Sequence, residues 1–248
     1  MSSARLSFRK RLTWYAHLFK ALSRQHHGDI LPLLKKHIPA DGVIIDVGAH
    51  AGQFTKLFAQ TVPQGHVYAF EPGSYARSII SKVITAKRLG NVSLFPIGLS
   101  DQASEQTLRI PIKNSGSVGF GLSHISGCPV MNDNSRADEE KITLTTLDQF
   151  AFRHNLQRVD FIKADIEGWE MRFLLGAHHV IEKFKPVLFL EINDDYLHRA
   201  GNTAAEMWAF LKALGYRIER IENEGKILTP LSAPIMTGDI WCVAERGE

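Results

Sequence analysis

The chain of 248 residues is poor in cysteine, with only Cys128 and Cys242. Two thiols cannot build a disulfide framework, so a stapled secreted scaffold is excluded and a reduced, cytoplasmic setting is the expectation. No apolar run approaches the roughly 18–20 residues that cross a bilayer. There is no internal repeat and no low-complexity tract. No G-x-G-x-x-G occurs either, which disfavours a pyrophosphate seat and an NAD-dependent oxidoreductase. Acid is missing from residues 1–27, which hold Arg5, Arg9, Lys10, Arg11, Lys20 and Arg24. Of 29 Lys and Arg, 23 therefore face 26 Asp and Glu in the rest of the chain, a net of −3. A slightly acidic body argues against a nucleic-acid groove, which needs clustered basic residues.

What is present has an ordinary globular balance, 44% hydrophobic and 22% charged. The basic leader carries Phe8, Leu12, Tyr15, Phe19 and Leu22 at spacings of three and four, one face of a helix. It reads as residues 1–30, a basic amphipathic segment set apart from the body at 31–248. Such a helix either packs on the body or touches an anionic membrane surface through residues 1–27. His17 and Lys20 interrupt any signal-peptide apolar core.

The body alternates strands and helices. Short apolar runs at 42–48, 66–72, 91–100, 159–168 and 186–193 read as buried strands. Helical spacing fills 53–62, 75–90, 169–184 and 203–215, with glycine stops at Gly90 and Gly215. Residues 216–222 and 239–245 would be the last two strands. Near-continuous apolar strands alternating with helices predict an α/β fold with a doubly wound, mostly parallel sheet. Eight units would be wanted for a barrel. Residues 105–147 break the rhythm with strand-like alternation ("QTLRIPI", "SVGFGLSHI", "KITLTTL"). They read as an antiparallel insertion after strand three, with a loop near 127–141.

In such a sheet, ligands bind beyond the carboxyl ends of the strands. The first of those loops is "DVGAHAGQ", with Asp46, Gly48, Ala49 and Gly52. Glycines let the backbone turn tightly, and the following helix aims free N–H groups at the space. An acid at the mouth repels phosphate and suits a cationic group. Strand two ends in Glu71, where a carboxylate can accept from both hydroxyls of a ribose. The ligand should therefore carry a ribose and a positive end but no pyrophosphate. S-adenosylmethionine fits, having a ribose, an ammonium group and a sulfonium; NAD fits less well. Ser100 and Asp101 end strand three and complete the cofactor-binding candidates.

With these residues in view, the chain resembles the FkbM family of S-adenosylmethionine-dependent methyltransferases over roughly Gly42 to Val243. The resemblance rests on "IIDVGAHAGQFT", "VYAFEPGS" and above all "FIKADIEGWEMRFLLGA", with "TLDQF" and "LFLEIN" around it. His50 stands where the family usually has asparagine, and Ala164 where it has a larger apolar residue. The resemblance implies a seven-stranded class I methyltransferase (Rossmann-like) sheet with a reversed final strand pair. It also implies O-methylation, often of sugars or natural products.

Asp165 ends strand four and should face the methyl group. Glu167 is open between base and cap, Glu170 reads as structural in a first helical turn, and Glu191 ends strand five. These make Asp165, Glu167 and Glu191 the catalytic candidates. Asp165, Glu191 and Asn193 would offer hard oxygens to Mg²⁺, but no tight ligand pattern is present and no metal is expected. His124 would be a base if the insertion covers the site. The expected acceptor is a glycan or other hydroxylated small molecule. A lipid-linked or peptide-derived metabolite at the membrane surface, or cofactor binding without turnover, stays open.

Overall fold

The computed structural model describes residues 8–111, 124–125, 137–222 and 227–245. The main sheet gathers β1 (Val43–Val47), β2 (His66–Phe70), β3 (Val92–Phe95), β8 (Phe161–Ala164), β9 (Val187–Asn193), β10 (Tyr216–Glu222), β11 (Ile227–Pro230) and β12 (Thr237–Ala244). Their order is β11-β10-β12-β9-β8-β1-β2-β3. The β3-β2-β1-β8-β9 portion is parallel, while β12, β10 and β11 run antiparallel to their neighbours. A second sheet of β4 (Gly98–Leu99), β5 (Ser104–Pro111), β6 (His124–Ile125) and β7 (Ala137–Thr145) follows β3 in the order β4-β7-β5-β6.

Why the central strands read as unbroken apolar runs is visible in their packing. Ile44 and Phe161 face a cluster with Leu57 and Phe58 of α3 (Gln53–Thr61) and Leu34 of α2 (Leu31–His37). Their neighbours Ile45 and Ile162 face the opposite cluster, against Phe150 of α5 (Leu147–Arg153), Phe173 of α6 (Glu170–Leu175) and Ile181 of α7 (His178–Phe184). Both faces are covered, as parallel sheets require. Each fully buried aliphatic or aromatic side chain contributes about 1.5–3 kcal/mol.

The doubly wound α/β fold is as expected. In the insertion β5 pairs antiparallel with β6 and β7, while β4 pairs parallel with β7, and four further differences stand out. The main sheet has eight strands rather than seven, because Ile227–Pro230 pairs antiparallel with β10 at the edge. A four-residue edge strand carries too little alternation to be read, and its proline ends it where no further ladder bond is needed. The third strand divides at Pro96, so Val92–Phe95 joins the main sheet and Gly98–Leu99 the second. The helix expected over 169–184 is two, broken around Gly176, where a Cβ would overlap the Ser100 carbonyl oxygen. The polar stretch placed in a loop at 137–141 is strand, paired along β5 with Arg109 opposite Glu139, 3.6 Å apart. The middle of the insertion, including Cys128, the side chain of His124 and most of "SVGFGLSHI", lies outside the described residues.

The leader forms α1 (Phe8–Ser23), which packs on α4 (Ser74–Lys87). Of the described side chains on the face its spacing suggested, only Leu22 packs. Trp14, Leu18 and Leu22 pack with Ala21, Ile79 and Val83, while Leu12, Tyr15 and Phe19 stay exposed.

Candidate active site

The sheet reverses direction of winding between β1 and β8, and their carboxyl ends meet there. Gly48, in left-handed backbone at φ 75°, passes directly over β8's exit: a Cβ would overlap the Asp165 carbonyl oxygen. The Gly48 and Ala49 N–H groups both donate to the Phe70 carbonyl, at 3.1 and 3.0 Å. The loops after β1 and β2 are thereby stitched together.

Between these loops and the second sheet lies a cavity of about 330 Å³, within the range of small-molecule sites. Gly48, Ala49, His50, Phe54, Glu71 and Tyr75 form one side. Leu99, Leu108, Ile142 and Leu144 supply an apolar wall, and Lys163, Asp165, Glu167 and Trp169 the third side. The insertion thus lines one side of the site with the apolar face of its sheet.

The expected residues divide. Gly48, Ala49, Glu71, Asp165 and Glu167 line the cavity. Glu71 is buried, and its two oxygens accept from the backbone N–H of His50 at 2.9 Å and of Gly73 at 2.8 Å. Burial outweighs these bonds and pushes its carboxyl up to about 7. Asp46 is not on the wall. It is fully enclosed beneath the loop, where Thr55 of α3 donates to it at 2.6 Å. Gly52 caps α3 in left-handed backbone, also off the wall. Ser100 and Asp101 are drawn away by other partners: Trp169 Nε1 donates to Ser100 Oγ at 2.9 Å, and Arg172 pairs with Asp101 at 3.1 Å. At that level the wall is Gly98 and Leu99.

Lys163 organises the other end. It is 2% exposed, yet charged. Its Nζ donates to the Gly48 carbonyl at 3.0 Å and the Val47 carbonyl at 3.3 Å, and stands 3.4 Å from Asp165 and 3.9 Å from Asp46. Burial opposes its charge, but Asp165 and Asp46 outweigh it and its pKa rises. Asp46 is pushed up by burial although Lys163 pulls the other way, so the cation belongs chiefly to the nearer Asp165. Nothing in the local sequence singles out Lys163. Its grip on the β1 loop carbonyls comes from register, since Lys163 sits opposite Asp46.

Asp165 has a side chain 41% exposed. Burial works against its ionisation, but Lys163 and a hydrogen bond with Glu191 prevail and its pKa falls. Glu191 is off the cavity wall, and burial together with the Asp165 charge raises it to about 9. The two carboxyls therefore hold one proton between them at neutral pH. Glu167 stands in left-handed backbone at φ 56°, a costly conformation for a non-glycine residue. Burial and the Asp165 charge raise its carboxyl to about 7. Glu170 faces away and accepts from the Ile166 N–H at 2.8 Å, holding the turn. Asn193 is spent as the cap of α8 (Asp194–Arg199), accepting from the Tyr196 N–H at 3.3 Å. Among the described residues no group of three His, Cys, Asp or Glu is arranged to hold a metal ion.

Comparison with known proteins places these features. A family model described as the methyltransferase FkbM domain matches residues 46–218. The AMB antimetabolite synthetase AmbE of Pseudomonas aeruginosa is 29% identical over 195 residues, which cover 67% of this chain and 9% of that protein. The chain thus spans a small part of that relative's length. Among solved structures, the methyltransferase FkbM from Methylobacillus flagellatus KT gives a TM-score of 0.53 at 14% identity, over 95% of this chain and 59% of that one. An O-methyltransferase from Bacillus cereus, in complex with S-adenosylhomocysteine, gives 0.51 at 12% identity, over 97% of this chain and 94% of that one. At such identities these structures speak for the fold, which is that of the class I methyltransferases. The family match runs from Asp46 through both acid-bearing loops into β10, and on that ground this chain belongs to the FkbM methyltransferase family.

Proposed function

We propose that this chain methylates a hydroxyl of a saccharide or saccharide-bearing small molecule, with S-adenosylmethionine as donor. The observation that carries the reading is the place of Glu167 on the cavity wall beside Asp165, where burial and the Asp165 charge push its carboxyl up to about 7. The cavity's donors and acceptors suit the cofactor. Each Glu71 oxygen has one backbone N–H partner and keeps accepting capacity for a ribose hydroxyl. Leu99, Leu108, Ile142 and Leu144 suit an adenine ring, and the Asp165 side suits a cationic end. When bound, S-adenosylmethionine supplies a methyl group on a good leaving group.

The chain's own residues then need to position an acceptor and take its proton. Glu167 accepts the hydroxyl proton, being half-ionised near neutrality. Asp165, kept anionic by Lys163 and by the Glu191 proton, is too weak a base for that step and orients the acceptor through a second hydroxyl. A polyhydroxylated acceptor offers both donors, which favours a saccharide over an amine. The apolar wall of the second sheet excludes water.

The test is the methyl-transfer rate of wild type and Glu167→Gln over a panel of hydroxylated glycans and glycosides, as a function of pH. Wild-type kcat should rise with pH and level off above about 7. Glu167→Gln should lose about 10²–10⁴-fold in kcat and the pH dependence with it. Its affinity for S-adenosylhomocysteine should not change. A variant as fast as wild type would remove Glu167 as the base.

A further inference from the structure

The leader helix leaves one face unused. Three large apolar side chains stand out from it: Leu12 at 63%, Tyr15 at 57% and Phe19 at 73% exposure. At 3.6 residues per turn they form one narrow stripe, with Arg11 on one flank and Lys20 on the other, both exposed. Isolated exposed apolar residues are ordinary. A continuous stripe edged by basic residues, in a segment whose first acid is Asp29, is not.

This face is held outward by the rest of the fold. Trp14 Nε1 donates to Ser78 Oγ at 2.7 Å on the opposite side of α1. Lys56 of α3, 4% exposed, donates to the Ala21 carbonyl in the last turn of the helix at 2.6 Å and to the Arg24 carbonyl just past its end at 2.7 Å. A buried ammonium fixes the helix C-terminus to the body. The helix therefore presents its stripe at a set orientation.

We propose that α1 is a peripheral docking face for an anionic lipid bilayer, with Leu12, Tyr15 and Phe19 entering the headgroup boundary. Arg11 and Lys20 meet lipid phosphates. Charge complementarity selects this occupant. A second copy of the chain pairing through the same face would set two acid-free basic rows against each other, which like-charge repulsion disfavours. The helix lies on the membrane and does not cross it: no helix among the described residues is long and apolar enough to span. The stripe, flanking cations and modest hydrophobicity are those of an interfacial helix. The inference is independent of the acceptor assigned above. It does bear on it, because the segment following α1 reaches the cavity through His27, which stacks on Phe54 at 4.5 Å.

The experiment is co-sedimentation of the full chain with vesicles of phosphatidylcholine alone and with about 30% phosphatidylglycerol, at low and at physiological salt. Wild type should bind the anionic vesicles and lose affinity as salt rises. The triple variant Leu12→Ser/Tyr15→Ser/Phe19→Ser should bind roughly tenfold or more weakly. Arg11→Glu/Lys20→Glu, which alters exposed charges alone, should weaken binding to anionic vesicles by a similar factor and keep the wild-type melting temperature. Failure of wild type to sediment with anionic vesicles overturns the proposal. So does equal binding by Arg11→Glu/Lys20→Glu, or a wild-type dimer in solution that the triple variant dissolves.

Discussion

Glu71 and Asp165 end neighbouring regions of one sheet edge, and both face the same cavity, yet the protein handles their charge in opposite ways. Glu71 is satisfied by backbone alone, one N–H to each oxygen. Asp165 is satisfied by side chains that themselves carry protons, Lys163 and Glu191. Backbone donors are fixed by the fold and do not titrate, so they suit a site that recognises one ligand in one pose. Titratable neighbours let a proton be held, shared or given up, which suits the end of a cavity where a bond is made. Lys163 ties the two ends together, since its ammonium grips the carbonyls of the β1 loop while pairing with Asp165.

That link is the place to break the comparison hardest. Lys163→Met leaves Asp165 and Asp46 with no cation and the Gly48 carbonyl with no donor. Breaking a fully buried pair costs about 3–5 kcal/mol. Because the Asp165 side chain is 41% exposed, screening cuts the cost to about 2–3 kcal/mol, and the melting temperature should fall by about 4–12 °C in thermal unfolding. A smaller loss than that of an exposed pair, under about 1 kcal/mol, would show that Lys163 is neutral and the two ends are not coupled.

Glu71→Gln sharpens the contrast at the recognition end. The amide keeps the shape but offers one acceptor oxygen where the carboxylate offers two. Losing one hydrogen bond to a charged acceptor is worth about 1.5–3 kcal/mol, or about 10–150-fold in Kd. Calorimetric titration of S-adenosylhomocysteine should show that weakening, with kcat at saturating cofactor little altered. Glu167→Gln should do the reverse. If both variants weaken binding and both slow turnover, the division between the two ends fails.

The recognition end was legible in part. Gly48, Ala49 and Glu71 belong to short apolar strands with a charged or small exit, and β-branched runs of that kind fit little except a buried parallel sheet. Ser100 and Asp101 share a strand end with no such constraint. Trp169 and Arg172 decide where they point, and nothing in the local pattern around Ser100 shows those partners. The break at Gly176 depends likewise on a carbonyl from another strand. On α1 both candidate faces are apolar, and spacing alone favoured Leu12, Tyr15 and Phe19. Trp14 and Leu18 pack with Leu22, the one described member of the expected face that turns inward, because Ser78 and Lys56 fix the rotation of the helix. Among the acids, the sequence placed Asp165 and Glu191 at adjacent strand ends. That one would hold the proton for both follows from burial, which is a tertiary quantity.

The smallest expected effect is the most specific to that pair. Glu191 is raised to about 9 by burial and by the Asp165 charge, so from about pH 4.5 to about pH 9 the folded chain holds a proton there that the unfolded chain releases. When the folded state binds more protons, stability falls as pH rises. The Glu191 contribution is therefore intact below about pH 4.5 and is progressively lost toward pH 9. Glutamine at this position can donate to Asp165 as the protonated acid does, and it cannot ionise. Glu191→Gln should melt near wild type at about pH 5 and some 2–4 °C above it by about pH 9, the shift expected of about 1 kcal/mol. Glu71, Glu167 and Glu170 are raised to about 7 and slope wild type and variant alike, so only the difference between the two curves reports on Glu191. Parallel curves would mean that the proton sits elsewhere. Asp165 would then have only Lys163 to hold its charge, and the loss in Lys163→Met should approach the upper end of its range.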